Sequence, residues 1–140
     1  MRAFFIGLLF SVAAACAQAQ DAPRAPDFNG AWENDMGSLA TLAVKDDEVR
    51  GTYQTNVGTP DKSQSFPLIG FAQGDQITFT VNFKTYGSLT AWTGQLILDN
   101  EGVPTIRTLW HLTNDIEDTK EKDDIWGSIR TGASNFTRAD

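Results

Sequence analysis

The sequence predicts an all-β protein, and more specifically an eight-stranded antiparallel up-and-down barrel. Short runs rich in β-branched and aromatic residues alternate with turn residues at a spacing of roughly 8–12 residues, which is typical of β-sandwiches and β-barrels. No window carries the apolar period of a helix over three turns. About eight sequential strands can close on themselves, which removes both sheet edges and leaves room for one small ligand. A two-sheet sandwich would show similar runs and is the alternative architecture.

The predicted strands follow one another through connections that are mostly tight. Asp, Asn and Gly supply turn conformations at 45–47, 73–75 and 99–102, so each strand is expected to pair with the next. Two connections are longer, 56–65 and the charge-rich 115–124, and either can form a lid. The predicted strands span residues 30–33, 38–45, 48–54, 66–72, 76–83, 88–99, 105–114 and 127–137.

The N-terminus has the features of an export signal. Arg2 is followed by the apolar segment 3–15 and by a small-x-small cleavage pattern at 17–19. The apolar segment is too short to span a membrane. A lipoprotein signal with Cys16 acylated after cleavage is the alternative. We therefore expect a secreted or periplasmic protein with a signal peptide at 1–19, a flexible lead at 20–27 and one barrel domain at 28–140.

Composition and charge exclude several classes of function. The chain has 140 residues, the length of one domain, and a net charge of -7. Binding to nucleic acid requires a Lys/Arg surface, and no basic residues cluster anywhere in the sequence. After removal of the signal the chain would hold one His and no Cys, which is too few ligands for a metal centre. We expect no metal, no cofactor and no nucleic-acid partner.

Polar side chains occupy strand faces where an interior would normally be apolar. Side chains alternate across a strand, so Ser88, Thr90 and Trp92 share one face. One Tyr or Thr inside a barrel is usually satisfied, but each buried hydroxyl without a partner costs about 1–3 kcal/mol. Several of them together favour a ligand that supplies partners. The same pattern recurs at Asn34, Met36 and Ser38 and at Tyr53, Thr55 and Val57, whereas Phe79, Val81 and Phe83, and Ile106, Thr108, Trp110 and Leu112, form ordinary core faces.

Six short motifs occur in order along the chain. They are GAWENDMGS at 30–38, GTYQT at 51–55, FTVNFK at 79–84, WTGQ at 92–95, TLWHL at 108–112 and NFTR at 135–138. In order and spacing they resemble the successive strand motifs of the avidins and streptavidins, and six ordered motifs are more specific than any one of them. The resemblance covers about 28–138. It implies an avidin-like barrel that binds biotin without chemistry, usually as a tetramer and sometimes as a dimer.

The resemblance also implies how the hydroxyl-rich faces would hold the head of the ligand. Asn34, Ser38 and Tyr53 would converge on the ureido oxygen of biotin and polarise its carbonyl, which strengthens all three hydrogen bonds. Thr55 would accept a hydrogen bond from one ureido N–H. Thr90 would contact the thiophene sulfur.

The rest of the ligand would be held by apolar walls and by the loop between the third and fourth strands. Ser88 and the loop residues 56–59 would bind the valerate carboxylate. Aromatic walls exclude water and strengthen each polar contact. Phe83 stands where the family usually has Trp, which reduces the contact area but keeps an aromatic wall. The walls would be Phe83, Trp92 and Trp110, with Met36, Val57 and Leu112 filling the gaps.

One position on the closing strand departs from the family pattern. Where the family generally has Asp or Asn to accept the second ureido N–H, this chain has Ser134, and Asn135 beside it faces the other way. Losing a good buried acceptor costs about 1–3 kcal/mol, so we expect tight binding that is up to about two decades weaker than that of the strongest members. A bulge near Gly132 that turns Asn135 inward is the alternative.

Trp126 bears on the oligomeric state. In tetrameric members the matching Trp reaches across an interface and caps the ligand of a neighbouring subunit, and the dimeric branch lacks it. The resemblance therefore implies a homotetramer rather than a homodimer.

Three other functions remain as alternatives. An enzyme needs acid–base groups beside its ligand, and no pair of carboxylates shares an inward face in this strand assignment. A lipocalin-type carrier of another apolar ligand would have a mostly aliphatic pocket. A structural or inhibitor barrel would have a filled interior. We therefore expect a protein that binds biotin, with sequestration of the vitamin as its purpose, and no enzymatic activity.

Overall fold

The computed structural model describes residues 26–139. The predicted signal peptide, Cys16 and most of the predicted lead lie outside the described residues. A one-turn 3₁₀ helix, Lys84–Tyr86, precedes the sixth strand, and a short helix α1, Ile125–Ser128, precedes the last. The strands are β1 (Gly30–Asn34), β2 (Leu39–Lys45), β3 (Glu48–Gln54), β4 (Phe66–Gln73), β5 (Gln76–Asn82), β6 (Ser88–Leu98), β7 (Pro104–Asn114) and β8 (Ile129–Arg138).

The eight strands form one closed antiparallel barrel in sequential order. Each strand pairs with the next, and β8 returns to β1 through the pairs Trp32↔Arg138, Glu33↔Thr137 and Asn34↔Phe136. The predicted up-and-down barrel is therefore confirmed, and the sandwich alternative is wrong. Closure satisfies the backbone groups of both edge strands, which an open sheet would leave unpaired.

The two ends of the barrel differ in their connections. Short turns join β2 to β3, β4 to β5 and β6 to β7 at one end, which we call the closed end. The turn 35–38 and the connections 55–65, 83–87 and 115–128 lie at the opposite end, which we call the mouth. Long loops and irregular turns are therefore collected around one opening, where loops commonly carry binding residues.

Apolar side chains fill the closed half of the barrel. Trp32 is completely buried at 0% exposure, and its indole N–H donates to the Phe28 carbonyl over 2.8 Å. The Arg138 guanidinium lies 4.1 Å from the centre of the Trp32 ring on β1, so it links the first and last strands. The remaining buried side chains of this half include Leu42, Val49, Ile77, Phe79, Ile106 and Phe136. The closed half of the barrel is therefore a close-packed core, which supports the half nearer the mouth.

The strand bounds agree with the prediction to within one residue except where β8 begins. Residues 127 and 128 were expected to belong to that strand, but they lie in α1. Asp124 caps this helix because its side chain accepts a hydrogen bond from the Gly127 N–H over 2.7 Å. Because Asp124 caps α1, residues 127 and 128 are helical and β8 begins two residues later than predicted.

Candidate ligand-binding site

A cavity of about 350 Å³ opens at the mouth of the barrel. Its walls come from inward positions on β3 and β6 to β8, and its rim comes from the connections that follow β1, β3 and β5. The size is within the range of cavities that hold one small molecule. The lining residues are Met36, Ser38, Tyr53, Thr55, Val57, Gly58, Thr59, Pro60, Phe83, Tyr86, Ser88, Thr90, Trp92, Trp110, Leu112, Asn114 and Arg130.

Most of the residues predicted to bind a ligand line this one cavity. Asn34 and Ser134 are buried without lining it, at 4% and 0% exposure. Trp126 is outside the cavity of its own chain and is 82% exposed. The predicted residues in the lining are Met36, Ser38, Tyr53, Thr55, Val57, Phe83, Ser88, Thr90, Trp92, Trp110 and Leu112.

Three hydrogen-bond donors meet at the inner wall beside β1, β2 and β3. The Asn34 side-chain oxygen accepts from the backbone N–H groups of Met36 and Ser38, over 3.0 and 2.8 Å, and so holds the β1–β2 turn. The Asn34 amide nitrogen is left as the donor and lies 3.5 Å from the Tyr53 hydroxyl oxygen. The turn thus orients the Asn34 amide toward Tyr53.

The other two donors in this group are hydroxyl groups whose oxygens already accept a bond. The Ser38 Oγ accepts from the Asn56 N–H over 2.9 Å, and the Tyr53 oxygen accepts from Asn34. A hydroxyl has one proton to donate besides its acceptor lone pairs. Both Ser38 and Tyr53 therefore keep a proton that can be donated to a ligand.

Tyr53 is held in its neutral form. Burial raises the pKa of its hydroxyl, the neighbouring polar groups of Ser38 and Asn34 partly oppose the rise, and the charge of Asp35 adds to it. Burial has this sign for any acid because it disfavours the charged form. The hydroxyl proton of Tyr53 consequently stays available as a donor at neutral pH.

Thr55 is engaged with its own loop at the mouth. Its hydroxyl donates to the Val57 carbonyl over 2.8 Å and accepts from the Val57 N–H over 3.1 Å. A hydroxyl oxygen has a second lone pair, so Thr55 can still accept one hydrogen bond but has no proton left to donate. The contact also fixes the start of the loop 55–65, which Asn56 ties to the Met36 carbonyl over 2.9 Å.

Aromatic rings surround the middle of the cavity. The Trp92 ring lies 5.0 Å from Tyr53 and stacks on Phe79 at 5.1 Å between ring centres. Phe83 meets Tyr53 edge to face at 6.1 Å. Trp110 is held by the last strand, because a Cβ at Gly132 would overlap its indole ring. Such rings offer large apolar faces with little conformational freedom.

Three buried polar atoms have no hydrogen-bond partner among the described residues. They are the indole nitrogens of Trp92 and Trp110 and the Ser134 Oγ. Buried polar atoms are nearly always satisfied, so these three, on the adjacent strands β6, β7 and β8, are open to hydrogen bonds with a ligand or with water.

The register of β8 decides which of two neighbours faces inward. The pairs Arg107↔Asn135, Thr108↔Ser134 and Trp110↔Gly132 continue without a skipped residue, which leaves no bulge near Gly132. Ser134 is fully buried, whereas Asn135 is exposed. The alternative that turned Asn135 inward is therefore wrong for this structure.

Several rim residues were not among the predicted binding residues. Asn114 continues the inward face of Trp110 and Leu112, and Arg130 continues that of Gly132 and Ser134. Period-two alternation alone could have identified both. Tyr86 and Pro60 are also unpredicted rim residues, whereas Gly58 and Thr59, which line the rim beside them, belong to the loop 56–59 that was predicted to bind the carboxylate. The Tyr86 hydroxyl donates to the Gln64 side chain over 2.7 Å, which ties two mouth loops together.

Metal ligands and membrane-spanning helices bear on the classes of function considered above. Within residues 26–139 no three His, Cys, Asp or Glu side chains are grouped so that they could hold a metal ion. In the same part of the chain no helix has the length and apolar character needed to cross a membrane.

Comparison with known proteins gives the family of this barrel. The family model of the avidin family matches residues 22–139. The chain belongs to the avidin family. Avidin from Gallus gallus is 35% identical over 124 residues, which cover 82% of this chain and 80% of the Gallus chain. Avidin-related protein 4/5 from the same organism is 32% identical over 122 residues, which cover 82% and 79% of the two chains.

Solved structures of the avidin family share the fold of this chain. Xenavidin superposes with a TM-score of 0.71 at 33% identity, and the match covers 83% of this chain and all of xenavidin. A biotin binding protein from chicken superposes with a TM-score of 0.70 at 32% identity, covering 84% of this chain and 99% of that protein. The family and the barrel recognised from the sequence motifs are thus confirmed.

Proposed function

We propose that this protein binds biotin non-covalently in the cavity at the mouth of its barrel. The observation that carries the proposal is the group of three donors formed by Asn34, Ser38 and Tyr53. Each has its acceptor oxygen engaged within the protein and a proton free. Ser38 and Tyr53 line the cavity, and the buried Asn34 amide beside Tyr53 would join them in donating to one oxygen. The ureido oxygen of biotin is such an acceptor, and it gains negative charge when several donors polarise it.

Acceptors for the ureido N–H groups support the same ligand. Thr55 retains one lone pair on the side of the loop, and the buried Ser134 Oγ has no partner among the described residues. Thr90 is 4% exposed in the lining and would contact the ring sulfur. Ser88, nearer the mouth, would bind the carboxylate together with the loop 56–59.

The apolar part of the lining suits the fused rings of biotin. Phe83, Trp92 and Trp110 would form its walls, and Met36, Val57 and Leu112 would close the gaps. A lipocalin-type carrier is less consistent with this cavity, because hydroxyls and aromatic rings dominate the lining instead of aliphatic side chains.

The proposed activity is binding without catalysis. None of the described residues that line the cavity is a carboxylate, a histidine or a cysteine. Hydroxyl groups do line the cavity, but a Ser or Thr nucleophile is activated by an adjacent general base, and no carboxylate or histidine stands beside them in this described lining.

We further propose a homotetramer in which Trp126 caps the cavity of a neighbouring subunit. Trp126 stands on α1 beside Ile125, and both are well exposed in the single chain. Ile69, Phe71 and Leu109 are also exposed on the outer face of the barrel, at 54%, 64% and 64%. Exposed apolar groups of this kind commonly mark contacts between proteins. A secreted or periplasmic protein of this design would sequester biotin.

Titration with biotin tests the proposal directly. Quenching of tryptophan fluorescence and a rise in melting temperature are expected, because a ligand that binds only the folded state stabilises it. Hexanoic acid, which shares the carboxylate tail but lacks the ureido ring, serves as the control ligand. The proposal is wrong if biotin changes neither the fluorescence nor the melting temperature, or if hexanoic acid acts as strongly as biotin.

A further inference from the structure

Two polar residues at the rim have no role in the binding scheme described above. Asn114 is the last residue of β7 and Arg130 is the second residue of β8. Both lie on the inward faces of their strands, and both line the cavity. The cavity therefore has one charged side chain in its described lining, and that charge is positive.

The side chain of Arg130 is not paired with any described residue. The ion pairs within residues 26–139 join Arg50 to Glu48 and Lys120 to Glu117, and the Arg130 guanidinium has neither an ion pair nor a hydrogen bond with a described residue. A guanidinium with five free donors is suited to a carboxylate, which it can bind through two parallel hydrogen bonds.

Arg130 is a positive side chain at the mouth of a negatively charged protein. The segment 115–124, between β7 and α1 at the mouth, has six acidic residues and two lysines, and the whole chain has a net charge of -7. This field would repel an anionic ligand at the entrance. A positive side chain that faces the cavity counteracts the repulsion at the point where the ligand enters.

The strand register places Arg130 and Asn114 beside the predicted tail site. Thr90 is opposite Leu112, and Leu112 is opposite Arg130, so these three form one row across β6, β7 and β8. Ser88 and Asn114 form the next pair toward the mouth. Neighbouring strands lie about 4.8 Å apart, so Arg130 stands about 10 Å from Thr90 across β7 and diagonally further from Ser88. Its long side chain can extend toward a ligand tail bound between these strands.

We propose that Arg130, assisted by the Asn114 amide, makes the site selective for ligands whose tail ends in a free carboxylate over ligands whose tail is an uncharged amide or ester. The inference rests on the proposed function and adds to it a determinant of specificity. Arg130 is exposed to solvent, so its contribution is that of a screened surface charge, about fivefold in relative affinity at low salt.

The test compares biotin with its uncharged primary amide on the full chain. The ratio of the two dissociation constants is measured by calorimetry for the wild type, Arg130→Gln and Arg130→Lys. Arg130→Gln is expected to reduce the preference for biotin about fivefold, and Arg130→Lys is expected to keep most of it. The preference of the wild type should also shrink as salt is added.

Lys45→Gln is the matched control because it removes one positive charge at the closed end of the barrel, far from the mouth. A loss of preference in Lys45→Gln equal to that in Arg130→Gln would overturn the inference, as would an unchanged ratio in Arg130→Gln. A variant that merely packs badly would weaken both ligands and leave their ratio unchanged. If neither biotin nor its amide binds the wild type, it is the proposed function that fails.

Discussion

The Asn34 amide nitrogen lies 3.5 Å from the Tyr53 hydroxyl oxygen and joins β1 to β3 across the intervening strand. Asn34 can make this contact because its side-chain oxygen is occupied by the backbone of the β1–β2 turn. A tight turn therefore fixes the direction of an amide inside the barrel. In the proposed complex, this arrangement orients two of the three donors before the ligand arrives, which lowers the entropic cost of binding.

Removal of the Tyr53 hydroxyl is expected to weaken biotin binding. Tyr53→Phe keeps the ring contacts with Trp92 and Phe83 and removes one donor, at a cost of about 1–3 kcal/mol, or roughly one to two decades in Kd. Calorimetric titration measures the change. Thr52→Ala, on the outward face of the same strand, is the control and should bind as the wild type does. Equal affinities of Tyr53→Phe and the wild type would contradict the role given to this hydroxyl.

Alkaline pH should destabilise the ligand-free protein through Tyr53. Its pKa is raised in the folded state, so its contribution to stability is complete below the unfolded value of about 10 and is lost as pH rises through the folded value. Denaturant melts across this range should show the decline in the wild type and a shallower one in Tyr53→Phe. Spectrophotometric titration should show a delayed tyrosine ionisation that the variant lacks; an identical titration of both proteins would contradict the assignment.

Ser134→Asp is expected to strengthen biotin binding. The Ser134 Oγ is buried and without a partner among the described residues, and a carboxylate there would reach further and accept a charge-assisted bond. The gain should be up to about two decades in Kd, measured from the dissociation rate on a biotin-bearing surface. Asn135→Asp adds the same charge on the outward face and should have little effect. No gain from Ser134→Asp would show that Ser134 is not the acceptor.

Trp126→Ala should speed biotin dissociation if subunits complete one another's sites. Trp126 is 82% exposed and makes no wall in its own chain, so the loss of affinity should depend on assembly. Dissociation rates and light scattering would be measured on the same samples. Trp126→Phe keeps an aromatic ring and should therefore release biotin almost as slowly as the wild type. An Ala variant that remains tetrameric and releases biotin at the wild-type rate would remove Trp126 from the site.

Alternation along the strands made most of the barrel predictable. Once Trp92 and Tyr53 are placed inward, a period of two residues brings Ser88, Thr90 and Thr55 to the same cavity. The same rule reaches Arg130 from Ser134, although Arg130 lies outside the six family motifs.

Other features depend on contacts between distant residues, which periodicity does not contain. The fit of Trp110 over Gly132 and the bond between Tyr86 and Gln64 join positions far apart in sequence. The loop 55–65 takes its shape from such bonds, including that of Asn56 to Ser38. The strand order predicts where this loop lies. It does not predict which hydrogen bonds the loop makes, and these bonds decide which donors and acceptors of Ser38 and Thr55 remain free for a ligand.

The difference between the two ends of the barrel has a practical consequence. Gly30, where β1 starts, and Arg138, where β8 stops, both lie at the closed end. A linker joined to either strand therefore leaves the barrel on the side opposite the cavity. A chain tethered to a bead, a sensor chip or a fused enzyme through such a linker would present its opening to the surrounding solution.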